Sequence, residues 1–195
     1  DDWLEVLGYA PTGTLRVLNP SAPTRGQLRN TLVPNLLAAA HQNRNAAERF
    51  RLYELGRTFW LDAAGEKCES NELVGVIVDQ ASATAEEALR AARSAIEDVA
   101  QAAGLAGLHF TPELSRAEAP WFEPGRTLAV SLAGAPVGHL GVLPDSLAAR
   151  CVNAGQVAWF CLSPAAWEGE AFPAPRYVAP PTFPGSWQDF TFTHP

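Results

Sequence analysis

The sequence has no methionine, a single lysine and only three cysteines among its 195 residues. Cys68, Cys151 and Cys161 are odd in number, far apart and not arranged as C-x-x-C pairs, so neither a disulfide framework nor a zinc ribbon is indicated. No apolar run reaches the roughly 18 to 20 residues of a membrane-spanning helix, and Asp1-Asp2 is unlike the basic start of a signal peptide. We therefore predict a soluble, cytoplasmic protein with reduced structural thiols and no membrane partner.

Net positive charge is also missing. Fourteen Lys and Arg residues stand against 21 Asp and Glu residues, which gives a formal net charge of −7 and a pI of about 5.1. Because Lys and Arg neutralise the phosphates that dominate nucleic-acid binding, an acidic chain binds nucleic acid poorly by itself. We expect contact with nucleic acid only through an assembled complex.

Hydrophobic residues make up 47% of the chain, which is enough to bury one substantial core. We predict a core domain over residues 1–170, a proline-rich linker over 171–184, and the start of a further domain or a tail strand over 185–195. The linker is predicted because its prolines, at positions 173, 175, 180, 181 and 184, block both helix and central strand. Since position 1 is not methionine, we expect an excised piece whose N-terminal part is missing.

Two segments have the apolar spacing of helices. A stripe from Leu28 to Ala40 predicts the first, and because proline clashes inside a helix, we expect its main part over residues 34–47. Thr84 and Glu87 form the T-x-x-E capping box of the second helix, which is predicted to end at Gly104.

Alternating or continuous apolar runs predict the strands. A strand over 50–61 is expected to break near Gly56, and the almost wholly apolar run 73–78 is expected to be central. Further strands are predicted over 15–18, 126–131, 137–143, 156–162 and 188–193, with a hairpin turn at Gly134-Ala135-Pro136. This mixture favours an α+β fold with a mainly antiparallel sheet flanked by helices.

Three runs occur in the order and spacing of a known family: Asn19-Pro20-Ser21, residues 27–37, and Phe50 to Phe59 with its core Glu54-Leu55-Gly56. They resemble the bacterial-type phenylalanyl-tRNA synthetase beta subunit. Residues 124–126 and 138–144 are similar to a hairpin later in the same domain of that family. Phe183-Pro184 with Asp189-Phe190 resembles the start of its anticodon-binding domain.

The resemblance implies a class II aminoacyl-tRNA synthetase-like core that has lost its active site and packs against the catalytic alpha subunit of a heterotetramer. It also implies ATP and Mg for the whole enzyme, with none bound by this segment. Independently, adenylation needs one arginine after a strand and a second one opening a helix, both to stabilise phosphate charge. Arg51 or Arg57 fits the first, but no Gly-x-Gly-x-Gly run followed by Glu-Arg supplies the second. We assign no catalytic, cofactor-binding or metal-binding residue to this chain.

Two groups of residues are candidates for function. The first is a predicted subunit interface, made of Leu28, Arg29, Leu36, Leu37, Asn43 and Arg44. The second is a candidate remnant of a ligand-binding strand, made of Arg51, Glu54 and Arg57, for which an ion-paired sheet face is the preferred interpretation.

These residues leave three functions open. The favoured one is a non-catalytic beta-subunit core that supports phenylalanyl-tRNA aminoacylation by binding the alpha subunit. The alternative is a stand-alone synthetase-like paralogue that binds a small ligand such as an amino acid or a nucleotide. A working enzyme of amino-acid activation is the third, and the missing second arginine disfavours it.

Overall fold

The computed structural model describes residues 3–20, 26–81, 84–113 and 119–167, which form one antiparallel sheet with helices on both faces. The helices are α1 Trp3–Leu7, α2 Val33–Asn43, α3 Ala85–Ala102 and α4 Asp145–Cys151. The strands are β1 Arg49–Leu61, β2 Lys67–Asp79, β3 Leu108–Pro112, β4 Thr127–Leu132, β5 Ala135–Val142 and β6 Gln156–Leu162. A 3-10 turn over Pro164–Trp167 follows β6. The predicted linker over 171–184 and the predicted strand over 188–193 lie outside the described residues.

The strands lie side by side in the order β1-β2-β6-β5-β4-β3, and every neighbouring pair is antiparallel. β2 pairs with β1 along its whole length but with β6 only from Leu73 to Asp79. The apolar run 73–78 therefore has a strand on each side, which explains why it carries almost no polar residues.

Helices cover the two faces of the sheet unequally. On one face, which we call the α2 face, α1, α2 and α4 pack over Val74, Val76 and Trp159. On the other, the α3 face, α3 packs over Ile77 and Phe160. Because α3 rests mainly on β2, β5 and β6, most of β1 lies beyond its reach.

The α3 helix forms as its sequence predicts. Glu87 N donates to Thr84 Oγ1 at 3.2 Å, and Thr84 N donates back to Glu87 Oε2 at 2.8 Å, which completes the capping box. Its buried face consists of Ala88, Ala92, Ile96 and Ala100. These are mostly small side chains, so the helix backbone lies close to the sheet.

The α2 helix begins at Val33 and carries Pro34 in its first turn, where proline is tolerated because no intrahelical donor is lost. It ends at Asn43, earlier than the predicted end near residue 47. Val33, Leu36, Leu37 and Ala40 are buried against the sheet. This apolar stripe is the one that the sequence indicated.

The predicted break at Gly56 is wrong, because β1 is continuous and Gly56 pairs in register with Glu72. The glycine has a different role. A Cβ atom there would lie 2.6 Å from Arg29 Nη2, so a larger residue would shift the guanidinium that crosses the strand at this point.

Other differences come from segments too short for periodicity to be visible. Residues 15–18 do not form a strand but a single bridge between Arg16 and Gln27, and α1 precedes them. The short β3 and α4 were not predicted. The hairpin between β4 and β5 is confirmed, although its turn lies at Ala133-Gly134 and Pro136 belongs to β5.

Candidate interaction site along the first strand

The side chains of β1 alternate between the two faces of the sheet, as the period of a strand requires. Phe50 and Leu52 pair with Val78 and Val76 and share the α2 face with them. The odd-numbered residues, Arg49, Arg51, Tyr53, Leu55 and Arg57, therefore project from the α3 face. The predicted ligand-strand residues are thus divided, with Glu54 on one face and Arg51 and Arg57 on the other.

On the α2 face, Glu54 is occupied by an ion pair. Its Oε1 lies 2.5 Å from Arg29 Nη1, and Arg29 Nε donates to the carbonyl of Arg57 at 3.1 Å. Both side chains are about one-third exposed, so the pair contributes little energy. Its effect is geometric, because it holds the segment before α2 against β1.

A second carboxylate, Glu72 of β2, holds the start of α2. Glu72 Oε2 accepts from Leu32 N at 2.6 Å, and its Oε1 lies 3.1 Å from Thr31 Oγ1 and 2.9 Å from Cys161 Sγ. Burial raises the pKa of Cys161 well above its ordinary value, and the neighbouring carboxylate raises it further. Cys161 is consequently a neutral thiol that donates to Glu72. Nothing in the sequence marks this contact, which joins residues 89 positions apart.

The predicted interface residues are mostly engaged inside this chain. Leu36 and Leu37 are buried in the core at 6% and 0% exposure, and Leu28 is half-buried. Asn43 Nδ2 donates to its own helix at Ala39 O (2.8 Å), and Arg44 Nη1 donates to His41 O (2.5 Å). A subunit interface formed by these six residues stays a prediction. In such an interface the buried leucines would hold α2 in place, and the polar residues would contact the partner.

On the α3 face of β1, two large apolar side chains are uncovered. Tyr53 is 80% exposed and Leu55 is 63% exposed, which places both among the few large hydrophobic residues at the described surface. The sequence alternation predicts which face they occupy but not that α3 leaves this face bare. That absence of cover depends on where α3 crosses the sheet.

The arginines on this face do not converge. Arg51 and Arg57 are six positions apart, which amounts to about 20 Å along a strand. Arg57 lies 3.9 Å from Glu69, whereas Arg51 forms no ion pair with any residue that the structure describes. The remnant ligand strand made of Arg51, Glu54 and Arg57 stays a prediction. The geometry of β1 does not bring these three side chains together.

A shallow cleft lies between the start of β1 and the first turn of α3, and Arg49, Arg51, Asp79 and Glu87 line it together with apolar residues. Arg49 Nε pairs with Asp79 Oδ2 at 3.0 Å. Hydrogen bonds from the backbone and hydroxyl of Thr84 lower the pKa of Glu87, so this carboxylate stays charged at neutral pH. Two cations and two anions leave the cleft nearly neutral, which suits a zwitterion better than a polyphosphate.

The described residues contain no group of three or more His, Cys, Asp and Glu side chains placed to hold a metal ion. A helix long and apolar enough to cross a membrane is likewise missing from this part of the chain.

Comparison with known families identifies the family of this chain. Residues 2–161 match the family model described as the phenylalanyl tRNA synthetase beta chain CLM domain. The chain belongs to this family. The resemblance noted in the sequence motifs is thereby confirmed.

Relatives of the CLM domain include the phenylalanine–tRNA ligase beta subunit of Thermococcus kodakarensis, 28% identical over 90% of this chain and 28% of the relative. The beta subunit of Burkholderia lata is 29% identical over 85% of this chain and 21% of the relative. The one of Staphylococcus haemolyticus is 29% identical over 70% of this chain and 17% of the relative. This chain therefore spans less than a third of the length of each of these relatives.

Among solved structures, Desulfitobacterium hafniense PylSc, a pyrrolysyl-tRNA synthetase, superposes with a TM-score of 0.56 at 16% identity. The match covers 77% of this chain and 49% of PylSc. At this identity the likeness shows the fold alone. It confirms the predicted α+β, class II synthetase-like architecture for the CLM domain.

Proposed function

We propose that this chain is the non-catalytic core of a bacterial-type phenylalanine–tRNA ligase beta subunit in the cytoplasm, and that it supports aminoacylation by packing against the catalytic alpha subunit in a heterotetramer. On this proposal tRNA reaches the domain only within the assembled complex, in keeping with the net charge of −7. ATP and Mg belong to the whole enzyme and are bound outside this segment.

The observation that carries the proposal is the combination of family membership with the charge arrangement on β1. Adenylation requires arginines that meet at the phosphates. Here Glu54 forms an ion pair with Arg29, and Arg49 forms one with Asp79. Arg51 lies about 20 Å from Arg57 along the strand. This arrangement supports a role in assembly over a role in chemistry.

Co-expression with the alpha subunit from the same genome tests the proposal. We expect the two chains to elute together in gel filtration, and separate elution at micromolar concentration would contradict a packing role. Asn43→Lys adds charge at the exposed end of α2 and should weaken the complex about ten-fold. Gln101→Lys, an exposed change at the end of α3, is the matched control and should leave the complex intact.

The cleft beside Arg51 favours one second candidate, a synthetase-like paralogue that holds a small ligand. Its nearly balanced charges match the ammonium and carboxylate of a free amino acid. Calorimetric titration with phenylalanine and with ATP separates the two functions. Binding of phenylalanine that Arg51→Ala abolishes would support the paralogue, and silent titrations would remove it.

A further inference from the structure

The outer edge of β1, which faces away from β2, has backbone hydrogen-bond partners only along its C-terminal half among the described residues. Phe59 N donates to Arg29 O at 2.9 Å and Leu61 N donates to Gly13 O at 2.7 Å, so the segments before α2 cover the last residues of the strand. These bonds also fix the orientation of the strand, because they show that the N–H groups of odd-numbered residues point away from β2.

By the two-residue alternation of a strand, the N–H and C=O groups of Arg51, Tyr53 and Leu55 point outward as well. None of them has a backbone partner among the residues that the structure describes. We call these three residues, with their outward backbone groups, the β1 edge patch. An unpaired edge of this kind is a template for another strand.

The side chains of the β1 edge patch do little to discourage such pairing. Native sheets protect free edges with lysine, proline, bulges or short strands. β1 is 13 residues long, pairs without a register shift and places two exposed apolar side chains, Tyr53 and Leu55, next to its open edge.

Charge around the patch indicates the chemistry of an occupant. Three of the chain's 14 basic residues, Arg49, Arg51 and Arg57, lie on this one strand face, and the acidic residues paired with them are Asp79 and Glu69. With Glu87 of the neighbouring cleft the charges nearly balance, but Arg51, the charged residue of the β1 edge patch itself, forms no ion pair with any residue that the structure describes. The patch therefore presents one uncompensated positive charge. A segment with carboxylates beside its apolar residues complements it.

A second copy of this chain fits the patch poorly. In antiparallel pairing, the register that sets Tyr53 opposite Leu55 of the other copy also sets Arg51 opposite Arg57. The register that sets the Tyr53 residues of the two copies opposite each other sets Arg49 opposite Arg57 instead. Like charges directly across strands are destabilising, and the segment at Arg29 and Gly13 shortens either pairing.

We propose that the β1 edge patch binds an extended, acidic and apolar segment of a partner protein, which adds to the sheet as a further strand. Main-chain hydrogen bonds to Arg51, Tyr53 and Leu55 supply the affinity, and contacts with the two apolar side chains and Arg51 supply the selectivity. The inference goes beyond the proposed function, because α2 packs on one face of the sheet and the exposed side chains of Tyr53 and Leu55 project from the other.

Fluorescence anisotropy with two labelled peptides tests the proposal on the full chain. Each peptide has about ten residues of alternating valine and threonine, with glutamates at both ends of one and lysines at both ends of the other. We expect the glutamate peptide to bind at least about ten-fold more tightly than the lysine peptide. Equal binding of the two peptides, or no binding of either at millimolar concentration, would overturn the proposal.

Two variants locate the binding. Tyr53→Pro removes one outward N–H without touching the bonds to β2, since proline is tolerated at the open side of an edge strand. It should abolish binding, and Arg51→Glu should remove the preference for glutamate. Arg90→Glu on exposed α3 is the matched charge control and should change nothing. If Tyr53→Pro fails to fold, Arg51→Glu alone decides the test. Unaltered preference for the glutamate peptide in Arg51→Glu would contradict the proposed partner segment. A dimer of the wild type in gel filtration would also contradict it.

Discussion

Among the helices that the structure describes, some lie on both faces of the sheet along β6 and β5, but along β1 they cover only the α2 face. Trp159 of β6 is completely buried, whereas Tyr53 of β1 is 80% exposed. Both are large aromatic residues in regular strands of one sheet, so strand propensity does not distinguish them. The difference lies in which helices reach each strand.

This contrast separates two uses of an apolar side chain. In the doubly covered part of the sheet, burial stabilises the fold, while on the bare face of β1 the same chemistry is available to a partner. Substitutions on the two sides should therefore affect different measurements.

The largest effect is expected at Trp159. Trp159→Ala removes a ring that packs on Phe122 and an indole N–H that donates to Trp121 O at 3.2 Å. Loss of this packing should lower the free energy of unfolding by about 3 to 5 kcal/mol, measured by urea denaturation. Tyr53→Ala is the matched aromatic truncation and should change it by less than about 0.5 kcal/mol. Similar losses for both variants would refute the contrast between the strands.

An intermediate effect is expected where Glu72 anchors α2. Glu72→Ala leaves Leu32 N and the Thr31 and Cys161 side chains without their acceptor, at a cost of about 1 to 3 kcal/mol. Glu69→Ala, on the same strand but exposed, should cost less than about 0.5 kcal/mol. Equal destabilisation of the two variants would show that the anchor has no special role.

A smaller effect is expected at the capping box of α3. Thr84→Ala removes the acceptor of Glu87 N and should destabilise the chain by about 1 kcal/mol, seen as a lower Tm by circular dichroism. Ser94→Ala, at an exposed position within the same helix, serves as control and should be neutral or slightly stabilising. Peptide binding at the β1 edge patch should survive both changes.

The smallest effect is expected from pH. His139 of β5 lies against Phe122, and burial lowers its pKa below the ordinary value of 6.5 even though Glu113 acts in the opposite direction. The unfolded chain then binds the proton more readily, so stability falls as pH drops below about 6.5. His139→Gln should flatten this part of the stability profile, and His109→Gln, at an exposed histidine, should not. A profile that is unchanged in His139→Gln would contradict the role of burial.

Sequence periodicity predicted the long elements well because each of them repeats its signal several times. The T-x-x-E box and apolar spacing of α3, and the continuous run in β2, indicate element type without reference to the rest of the chain. β3 and α4 were missed because five or seven residues give too few repeats. Gly56 was misread because glycine often interrupts a strand, whereas here it pairs in register with Glu72 and lies next to the Arg29 guanidinium, 27 positions away in the chain.

The candidate site shows the same division. Alternation along β1 was enough to place Arg51, Tyr53 and Leu55 on one strand face, but the predicted break at Gly56 hid that Arg57 shares this face. The family motifs were enough to identify the phenylalanyl-tRNA synthetase beta-subunit family. That Glu54 is held by Arg29, and that Cys161 donates to Glu72, depends on contacts between distant segments.

By itself, the sequence determined the family, the α+β class and the type of each long element, because all three depend on local spacing and order. Only the tertiary structure decided that α3 stops short of β1 and that the segment before α2 closes half of its edge. Those outcomes depend on where separate elements cross the sheet, and that is fixed by packing between residues far apart in the chain.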